Sequence, residues 1–219
     1  MIQISRRARA IEPTLIRTIT SRAKSGSLHL GIGQPDLELS DAALLSVRDH
    51  LDSRRAPYTP NAGLPEAREA VAHHYGLKSH KEVMLTVGVQ EGLALAFLGL
   101  VNPGDEVLLP EPGFPAYDNL VRAAGGTPVH YQLDPSSWQP EVDLFIEQIT
   151  DRTSVVLLNT PCNPTGVCIT AERVAQMIQA CESRGIVWIS DEIYEDLVYG
   201  DAEHVSARTF GENGLVLSG

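Results

Sequence analysis

The stretch Gly185–Tyr194 reads GIVWISDEIY, a short apolar run followed directly by two acidic residues. Residues 186–190 are apolar or small and β-prone, a composition typical of a strand buried on both faces of a parallel sheet. In open parallel sheets, ligands bind beyond the carboxyl ends of the strands, and Asp191 lies at such an end. Asp191 is therefore either a functional carboxylate or the cap of a following helix, and this stretch alone leaves both interpretations open.

Similar apolar segments recur along the chain and alternate with helical segments. This alternation predicts an α/β fold, a three-layer αβα arrangement with a mostly parallel sheet. The predicted strands cover residues 83–87, 106–109, 127–132, 154–158, 186–190 and 215–218, and the predicted helices cover residues 41–51, 64–75, 90–101, 115–124, 142–149 and 171–184, with a further short helix within 4–23 that Pro13 interrupts. The last strand runs into the end of the sequence, so we expect a domain that is incomplete at Gly219.

Composition narrows the classes of protein that the chain can belong to. The 219 residues are 43% hydrophobic and carry a net charge of −11, which gives no basic face for nucleic acid. The three cysteines have no CxxC spacing, so neither a disulfide framework nor a zinc site is indicated and a reducing, cytoplasmic setting is expected. The longest apolar run, residues 93–101, is far shorter than the ~20 residues of a membrane span.

Residues 86–92, TVGVQEG, predict a turn between a strand and a helix. A glycine at this point permits close approach of the backbone, and the helix that follows offers free N–H groups and the positive end of its dipole. Gly88, Val89 and Gln90 therefore suit a phosphate group. An ordinary βα turn is the alternative, and the sequence lacks the glycine patterns of nucleotide- and dinucleotide-binding loops.

Two further strand ends carry polar groups. Residues 159–166 read NTPCNPTG, in which Pro164 restricts Asn163 to an extended backbone and so fixes its amide, although a stiff structural turn has the same composition. Asp191 is followed by Tyr194: a buried carboxylate can keep a ring nitrogen protonated, and a phenol can hydrogen-bond a neighbouring oxyanion. A phosphate, a protonated ring and an oxyanion together describe pyridoxal 5′-phosphate (PLP).

Six motifs carry a family resemblance and follow one another in the family's order: GIGQPD (31–36), YTPNAGLPEAREAVA (58–72), TVGVQEGL (86–93), NPGDEVLLPEPGFPAY (102–117), NTPCNPTG (159–166) and SDEIYEDLVY (190–199). The chain resembles the class I and II aminotransferases, which are fold-type I, PLP-dependent enzymes. The resemblance implies an N-terminal arm and part of the small domain within residues 1–50. It assigns residues 51–219 to an incomplete PLP-binding large domain.

The resemblance assigns cofactor contacts to individual residues. Gly88, Val89 and Gln90 match the phosphate-binding turn, and Phe114 matches the aromatic residue that stacks on the pyridine ring. Asp191 matches the partner of the ring nitrogen, Tyr194 the donor to the 3′-oxygen, and Asn163 a contact of both the 3′-oxygen and the substrate carboxylate. Without the flanking motif, Phe114 would be read as a residue that fills the core.

Two further assignments concern the substrate and a second subunit. Gly33 matches the position where the backbone approaches the substrate carboxylate. Tyr58 matches a tyrosine that reaches the phosphate in the neighbouring subunit, which implies a homodimer. On its own, Tyr58 would be read as a surface residue of a loop.

The resemblance implies transfer of an amino group between an amino acid and a 2-oxo acid. The family's Schiff-base lysine has no counterpart among Lys24, Lys78 and Lys81, and the resemblance places it about three residues beyond Gly219, with the substrate-binding arginine further on. The catalytic residue is therefore not expected within these 219 residues. A PLP-dependent lyase, cyclase or decarboxylase on the same fold, and a non-catalytic fragment, remain alternatives.

Other reactive side chains have simpler explanations. His73 and His74 have no helical partner for a metal ion, and no metal site is expected. Cys162 lies near the predicted site without a matched base, so we interpret it as a packing residue. Glu192 and Glu195 are interpreted as solvated acids on the turn after the strand.

Overall fold

The structure, a computed structural model, describes residues 2–9, 11, 15–24, 26–28, 33, 37–52 and 58–219. Of the GIGQPD motif it describes Gly33 alone, and the predicted helix break at Pro13 also lies outside the described residues. The chain divides into two compact units, of which one comprises Met1–Leu15 with Val87–Gly219 and the other comprises Ile16–Thr86.

The first unit contains a five-stranded sheet in the order β2-β1-β3-β4-β5, in which every neighbouring pair of strands is parallel. Its elements in chain order are α1 (Arg6–Arg9), α5 (Val89–Leu100), β1 (Glu106–Glu111), α6 (Ala116–Ala124), β2 (Thr127–Gln132), α7 (Val142–Glu147), β3 (Thr153–Asn159), α8 (Ala171–Glu182), β4 (Val187–Asp191), a 3₁₀ turn (Ala207–Thr209) and β5 (Gly214–Leu217). The predicted α/β fold is confirmed, and five of the six predicted strands are present.

Alternate residues of the strands pack into two separate apolar clusters. On one face of the sheet, Val156 and Trp188 pack with residues of α7 and α8. On the other face, Val155 and Ile189 pack with residues of α5 and α6. Because neighbouring side chains of a strand point to opposite faces, the central strands β3 and β4 are buried between two layers of helices, which accounts for their nearly continuous apolar sequence.

This alternation decides the environments of the last residues of β4. Asp191 follows Ile189 by two positions and so lies on the face that α5 and α6 cover. Ser190 lies on the opposite face with Trp188. Asp191, the last residue of β4, and Glu192, the residue that follows it, therefore lie in different surroundings.

The second unit contains α2 (Leu15–Thr20) apart from its first residue, and α3 (Asp41–Asp52), α4 (Pro65–His74) and a 3₁₀ turn (His80–Glu82). α3 begins after Ser40, whose Oγ accepts a hydrogen bond from the Ala43 N–H at 3.2 Å, so Ser40 caps the amino end of this helix. None of the helices in the described ranges is long and apolar enough to cross a membrane.

The predicted strand at 83–87 is wrong, because this segment is not extended in a sheet and pairs with no strand of the described residues. Instead, the Leu85 N–H donates to the Ala62 carbonyl at 3.0 Å, and Arg68 Nε donates to the Val83 carbonyl at 2.7 Å. A β-prone composition indicates a surface that can pack in a sheet, but only a neighbouring strand makes it one.

Candidate functional site

Asp191 is the last residue of β4 and pairs in register with Asn159, the last residue of β3. Its side chain is held by two donors. The Tyr117 hydroxyl donates to Oδ2 at 2.7 Å, and the Ile193 backbone N–H donates to Oδ1 at 3.3 Å. Asp191 is 3% exposed. One carboxylate oxygen therefore accepts a hydrogen bond within the turn that follows β4, where residues 192–200 form no helix, while the other faces the cluster that contains Tyr117.

Burial raises the pKa of Asp191, hydrogen bonds from Tyr117 and Ile193 oppose that rise, and the neighbouring charge of Glu192 adds to it. Burial and the negative charge of Asp191 also raise the pKa of Tyr117 above its ordinary value. At neutral pH the Tyr117 hydroxyl is therefore un-ionised and keeps the proton that it donates to Asp191. A cationic hydrogen-bond donor would stabilise the ionised form of this buried carboxylate strongly, because burial has removed it from water.

Phe114 lies beside this pair. Its ring meets the Tyr117 ring edge to face, with centroids 5.5 Å apart and an interplanar angle of 83°. Phe114 is half-buried and, like Val89 and Leu217, packs against the buried cluster that contains Tyr117. Since Tyr117 contacts both Phe114 and Asp191, the structure brings the predicted ring-stacking residue and the predicted ring-nitrogen partner to one place.

Gly88 precedes α5 with φ of 77°, a left-handed conformation that favours glycine. Its carbonyl accepts the Glu91 N–H at 3.2 Å and starts the helix. The Glu91 carboxylate accepts a hydrogen bond from the Val87 N–H and closes the turn. Val89 is half-buried in the same cluster as Phe114, whereas Gln90 is exposed. The predicted phosphate-binding turn therefore leads directly into α5, the helix that covers the face of the sheet on which Asp191 lies.

Asn163 is linked to Asp191 through Asn159. The Asn163 N–H donates to Asn159 Oδ1 at 2.7 Å, and Asn159 Nδ2 donates to the Asp191 carbonyl at 3.0 Å. Tyr194, three residues after Asp191, is half-buried in the turn that follows β4. Asn163, Asp191 and Tyr194 therefore come from two neighbouring strand ends that are hydrogen-bonded to each other.

The interpretation of Glu192 as a solvated acid is wrong, because its side chain is completely buried. Oε1 accepts hydrogen bonds from Ser190 Oγ at 2.7 Å and from the Ala207 N–H at 2.9 Å. Oε2 lies 3.2 Å from Nε2 of His204, whose side chain is 8% exposed. Burial alone would raise the pKa of Glu192, but these hydrogen bonds outweigh burial and hold the pKa below its ordinary value.

Glu195 is half-buried and accepts a hydrogen bond from Ser218 Oγ. With Glu192 and His204 it places three potential ligand atoms within 4.8 Å of one another. Both Glu192 oxygens already have partners within the protein: Oε1 contacts Ser190 and Ala207, and Oε2 contacts His204.

The remaining predicted residues lie in other surroundings. Gly33 is exposed, and a side chain at its Cα would meet no atom within 4 Å, while Tyr58 is fully exposed. Both belong to the unit Ile16–Thr86, as do the three lysines of the sequence, which are all exposed. Cys162 is buried in the apolar cluster beneath α8, where burial raises the pKa of its thiol, so it acts as a packing residue.

Sequence reasoning missed Tyr117, Asn159 and the partners of Glu192. Tyr117 lies three residues after Phe114 in the first turn of a helix, a spacing that places both side chains on one side. Asn159 is the strand-end residue of β3, the position equivalent to that of Asp191 in β4. His204 gave no local signal, because it is twelve residues from Glu192 and a long loop separates them.

The polar and aromatic groups of this site fit PLP. The Asp191 carboxylate can accept the proton of a pyridinium ring, the amino-terminal turn of α5 can donate N–H groups to a phosphate, and the half-buried Phe114 ring offers an aromatic face. All three border the same face of the sheet within one compact unit. These three groups together are therefore chemically complementary to an anionic phosphate joined to a cationic ring.

Comparison with known proteins gives consistent results. A sequence model of the family described as aminotransferase class I and II matches residues 25–218. The chain is 32% identical over 221 residues to a probable aspartate aminotransferase of Methanocaldococcus jannaschii, covering 99% of this chain and 58% of the relative. It is 33% identical over 217 residues to an aspartate aminotransferase of Geobacillus stearothermophilus, covering 94% of this chain and 55% of that relative.

Solved structures show the same likeness. The aspartate aminotransferase of Thermus thermophilus with maleate matches with a TM-score of 0.93 and 30% identity, over 100% of this chain and 60% of that one. An alanine aminotransferase from Pyrococcus furiosus matches with a TM-score of 0.89 and 29% identity, over 99% of this chain and 59% of that one. The chain thus spans between 55% and 60% of the length of these four proteins.

Proposed function

The chain belongs to the class I and II aminotransferases, and from this premise we propose that it forms the PLP-binding part of an enzyme that transfers an amino group between an amino acid and a 2-oxo acid. The observation that carries the proposal is the buried Asp191 carboxylate, hydrogen-bonded by Tyr117 beside the Phe114 ring. PLP supplies an electron-accepting ring, and that capacity depends on a protonated ring nitrogen. A buried carboxylate is the group that keeps this nitrogen protonated.

Each predicted residue has a task that its chemistry allows. The Asp191 carboxylate accepts the ring N–H, while the Phe114 ring packs on the face of the pyridine. Asn163 and Tyr194 donate hydrogen bonds to the 3′-oxygen, and Asn163 also contacts the substrate carboxylate. Gly88, Val89 and Gln90 bind the phosphate with the backbone N–H groups at the start of α5.

The proposal extends to the substrate and to a second subunit. Gly33 approaches the substrate carboxylate with its backbone, and Tyr58 reaches the phosphate site of the partner in a homodimer. The proton-transferring lysine is proposed to follow Gly219 in the complete reading frame. We also propose that residues 51–219 belong to the PLP-binding domain and residues 1–50 to an arm and a small domain.

The names of the relatives guide the choice of substrates. Aspartate and alanine aminotransferases are both among the similar proteins, so a four-carbon and a three-carbon amino acid are the first donors to test. The net charge of −11 favours small-molecule substrates over nucleic acid as partners, and a cytoplasmic location is proposed from the cysteine usage.

The test is a screen of amino donors with the product of the complete reading frame. The protein is loaded with PLP, and each amino acid is offered with and without 2-oxoglutarate. Formation of glutamate that requires both the amino donor and 2-oxoglutarate supports the proposal. Release of ammonia without any 2-oxo acid would instead identify a lyase, and absence of PLP binding would indicate a non-catalytic protein.

A further inference from the structure

Asn159 occupies a junction between the two strand ends that carry the proposed cofactor contacts. It is the last residue of β3, is 2% exposed, and lies opposite Asp191 in the parallel register. The proposed contact to the cofactor from this loop belongs to Asn163, so the buried amide of Asn159 requires a different explanation.

Both the nitrogen and the oxygen of the Asn159 side-chain amide form hydrogen bonds. Nδ2 donates to the Asp191 carbonyl at 3.0 Å and to the Pro161 carbonyl at 3.3 Å. Oδ1 accepts the Asn163 N–H at 2.7 Å. These partners define the orientation of the amide. In the reverse orientation its oxygen would face two carbonyl oxygens and its NH₂ group would face an N–H donor.

These bonds join the end of β4 to the loop that follows β3. One backbone bond runs beside them, from the Thr160 N–H to the Asp191 carbonyl at 3.1 Å. The loop is closed further along by the Gly166 N–H, which donates to the Cys162 carbonyl at 2.7 Å. Asn159 therefore connects the Asp191 backbone with the Asn163 backbone through one rigid planar group.

Resting on the proposed function, we infer that Asn159 is a positioning residue that sets the separation between Asp191 and Asn163. The two residues are proposed to bind the nitrogen and the 3′-oxygen of one pyridine ring, whose atoms have fixed distances. A rigid ligand binds tightly only to groups already held at matching distances, because ordering them during binding lowers the affinity. The Asn159 amide supplies this order without touching the ligand.

The experiment compares two asparagine variants of the complete protein. Asn159→Ala removes the three bonds of the junction. Asn213→Ala is the matched control, because Asn213 Nδ2 also donates to a backbone carbonyl, that of Ile186 at 3.3 Å, but at the amino end of β4. Affinity for PLP is measured by equilibrium dialysis, together with the pH at which the absorbance of the bound cofactor changes.

Asn159→Ala is expected to weaken PLP binding by about tenfold or more, the equivalent of one to two buried hydrogen bonds, and to move the midpoint of the absorbance change. Asn213→Ala is expected to change the affinity by less than about twofold, the range of a substitution outside the site. Equal losses in both variants, or an unchanged absorbance midpoint in Asn159→Ala, would overturn the inference.

Asn159→Asp provides a second test for the case that the alanine variant does not fold. At neutral pH its carboxylate would oppose the carbonyls of Asp191 and Pro161, whereas protonation would restore one O–H donor. Relative to the wild type at each pH, PLP affinity should therefore recover on acidification. A pH-independent loss would contradict the inference. If the wild type itself does not bind PLP, the proposed function fails, and that outcome is separate from these comparisons.

Discussion

Burial of the Asp191 carboxyl is unfavourable to folding, whereas its proposed role is to bind the ring nitrogen of PLP. A substitution can distinguish the effect on stability from the effect on activity. Burial raises the pKa of its carboxyl in the folded protein, so the folded state binds a proton more strongly than the unfolded state. The stability contributed by this residue is therefore largest below the ordinary aspartate pKa of about 3.9 and falls as pH rises through the raised folded value. At neutral pH the ionised side chain is a cost to the fold.

We predict that Asp191→Asn stabilises the apoprotein at neutral pH and inactivates the enzyme. An asparagine can accept the Ile193 N–H with Oδ1 and donate from Nδ2 to the Tyr117 hydroxyl oxygen. The Tyr117 O–H then loses its acceptor, but the larger desolvation penalty of a buried carboxylate is removed. The melting temperature of the apoprotein should rise by a few degrees, and kcat/KM should fall by about a hundredfold or more. A melting temperature that falls while activity is kept would contradict the assignment of Asp191.

Tyr117 lowers the pKa of the Asp191 carboxyl through a hydrogen bond and contributes no charge of its own. Its hydroxyl donates to Asp191 and favours the ionised form, against the effect of burial. Tyr117→Phe removes the donor and keeps the ring that packs on Phe114. The pKa of Asp191 should then rise further, so the acid limb of the pH profile of kcat/KM should move to higher pH, while activity on the alkaline side changes by less than about threefold.

Tyr131→Phe is the matched control for this prediction. Tyr131 is also buried, but its hydroxyl donates to a backbone carbonyl, that of Leu157 at 3.1 Å, instead of a carboxylate. An equal shift of the acid limb in both variants would show that a general loss of packing, rather than the bond to Asp191, moves the profile.

At the scale of the element, the segment between β4 and β5 is closed at its base by Glu192. Its side chain binds Ser190 at the strand, and Ala207 and His204 at the far end of the loop, while its N–H donates to the Leu217 carbonyl of β5 at 2.8 Å. Tyr194 lies within this closed loop. The position of a proposed cofactor contact thus depends on an acid on the opposite face of the sheet.

Glu192→Ala should lower the free energy of unfolding by about 3 kcal/mol, because it leaves several buried donors without an acceptor. Urea denaturation at neutral pH measures this change, and Glu203→Ala, an exposed glutamate of the same loop, should alter it by less than about 0.5 kcal/mol. Equal effects of the two substitutions would show that Glu192 does not hold the loop.

The pH dependence of Glu192 has the opposite sign to that of Asp191. Its folded pKa lies below its ordinary value, so its stabilisation is present above the ordinary glutamate pKa of about 4.3 and is lost as pH falls through the folded value. Glu192→Gln should therefore flatten the loss of stability on acidification. If Glu192→Gln lost stability on acidification as steeply as the wild type, another carboxyl group would be responsible for the loss.

The elements that the sequence predicted well are those whose pattern is decided locally. β3 and β4 are apolar because both faces are covered, and α8 is capped at its amino end by Thr170, whose Oγ1 accepts the Arg173 N–H at 3.4 Å. The segment at 83–87 has the same local pattern but pairs with no strand in the part of the chain that the structure describes. Pairing is a long-range property, and a single stretch of sequence does not contain it.

At the scale of the whole molecule, the motifs placed Asn163 and Asp191 at the ends of two strands, β3 and β4, whose carboxyl ends lie side by side in the parallel sheet. They did not predict the burial of Glu192 or the junction at Asn159. Both depend on which face of the sheet a side chain occupies and on a loop that returns from far along the chain. Motifs identify groups with a chemical task, whereas the groups that hold them follow from the three-dimensional arrangement.

The proposed homodimer makes a prediction that no single subunit can show. If Tyr58 acts in the site of the partner, Tyr58→Ala and Asp191→Ala affect different sites within a mixed dimer. One site then contains both defects and the other contains neither. Dimers assembled at random from equal amounts of the two variants should reach about a quarter of the wild-type activity, because about half of them are mixed and each mixed dimer has one intact site.

The measurement uses co-refolded or co-expressed variants of the complete protein, separated by distinct affinity tags so that only mixed dimers are assayed. The two parent variants, each assayed alone at limiting PLP, provide the baseline. If Tyr58 acted in its own subunit, every site of the mixed dimer would carry one defect, and activity would not exceed the mean of the parents. Recovery to about half of the wild-type activity in purified mixed dimers therefore distinguishes a shared site from a self-contained one.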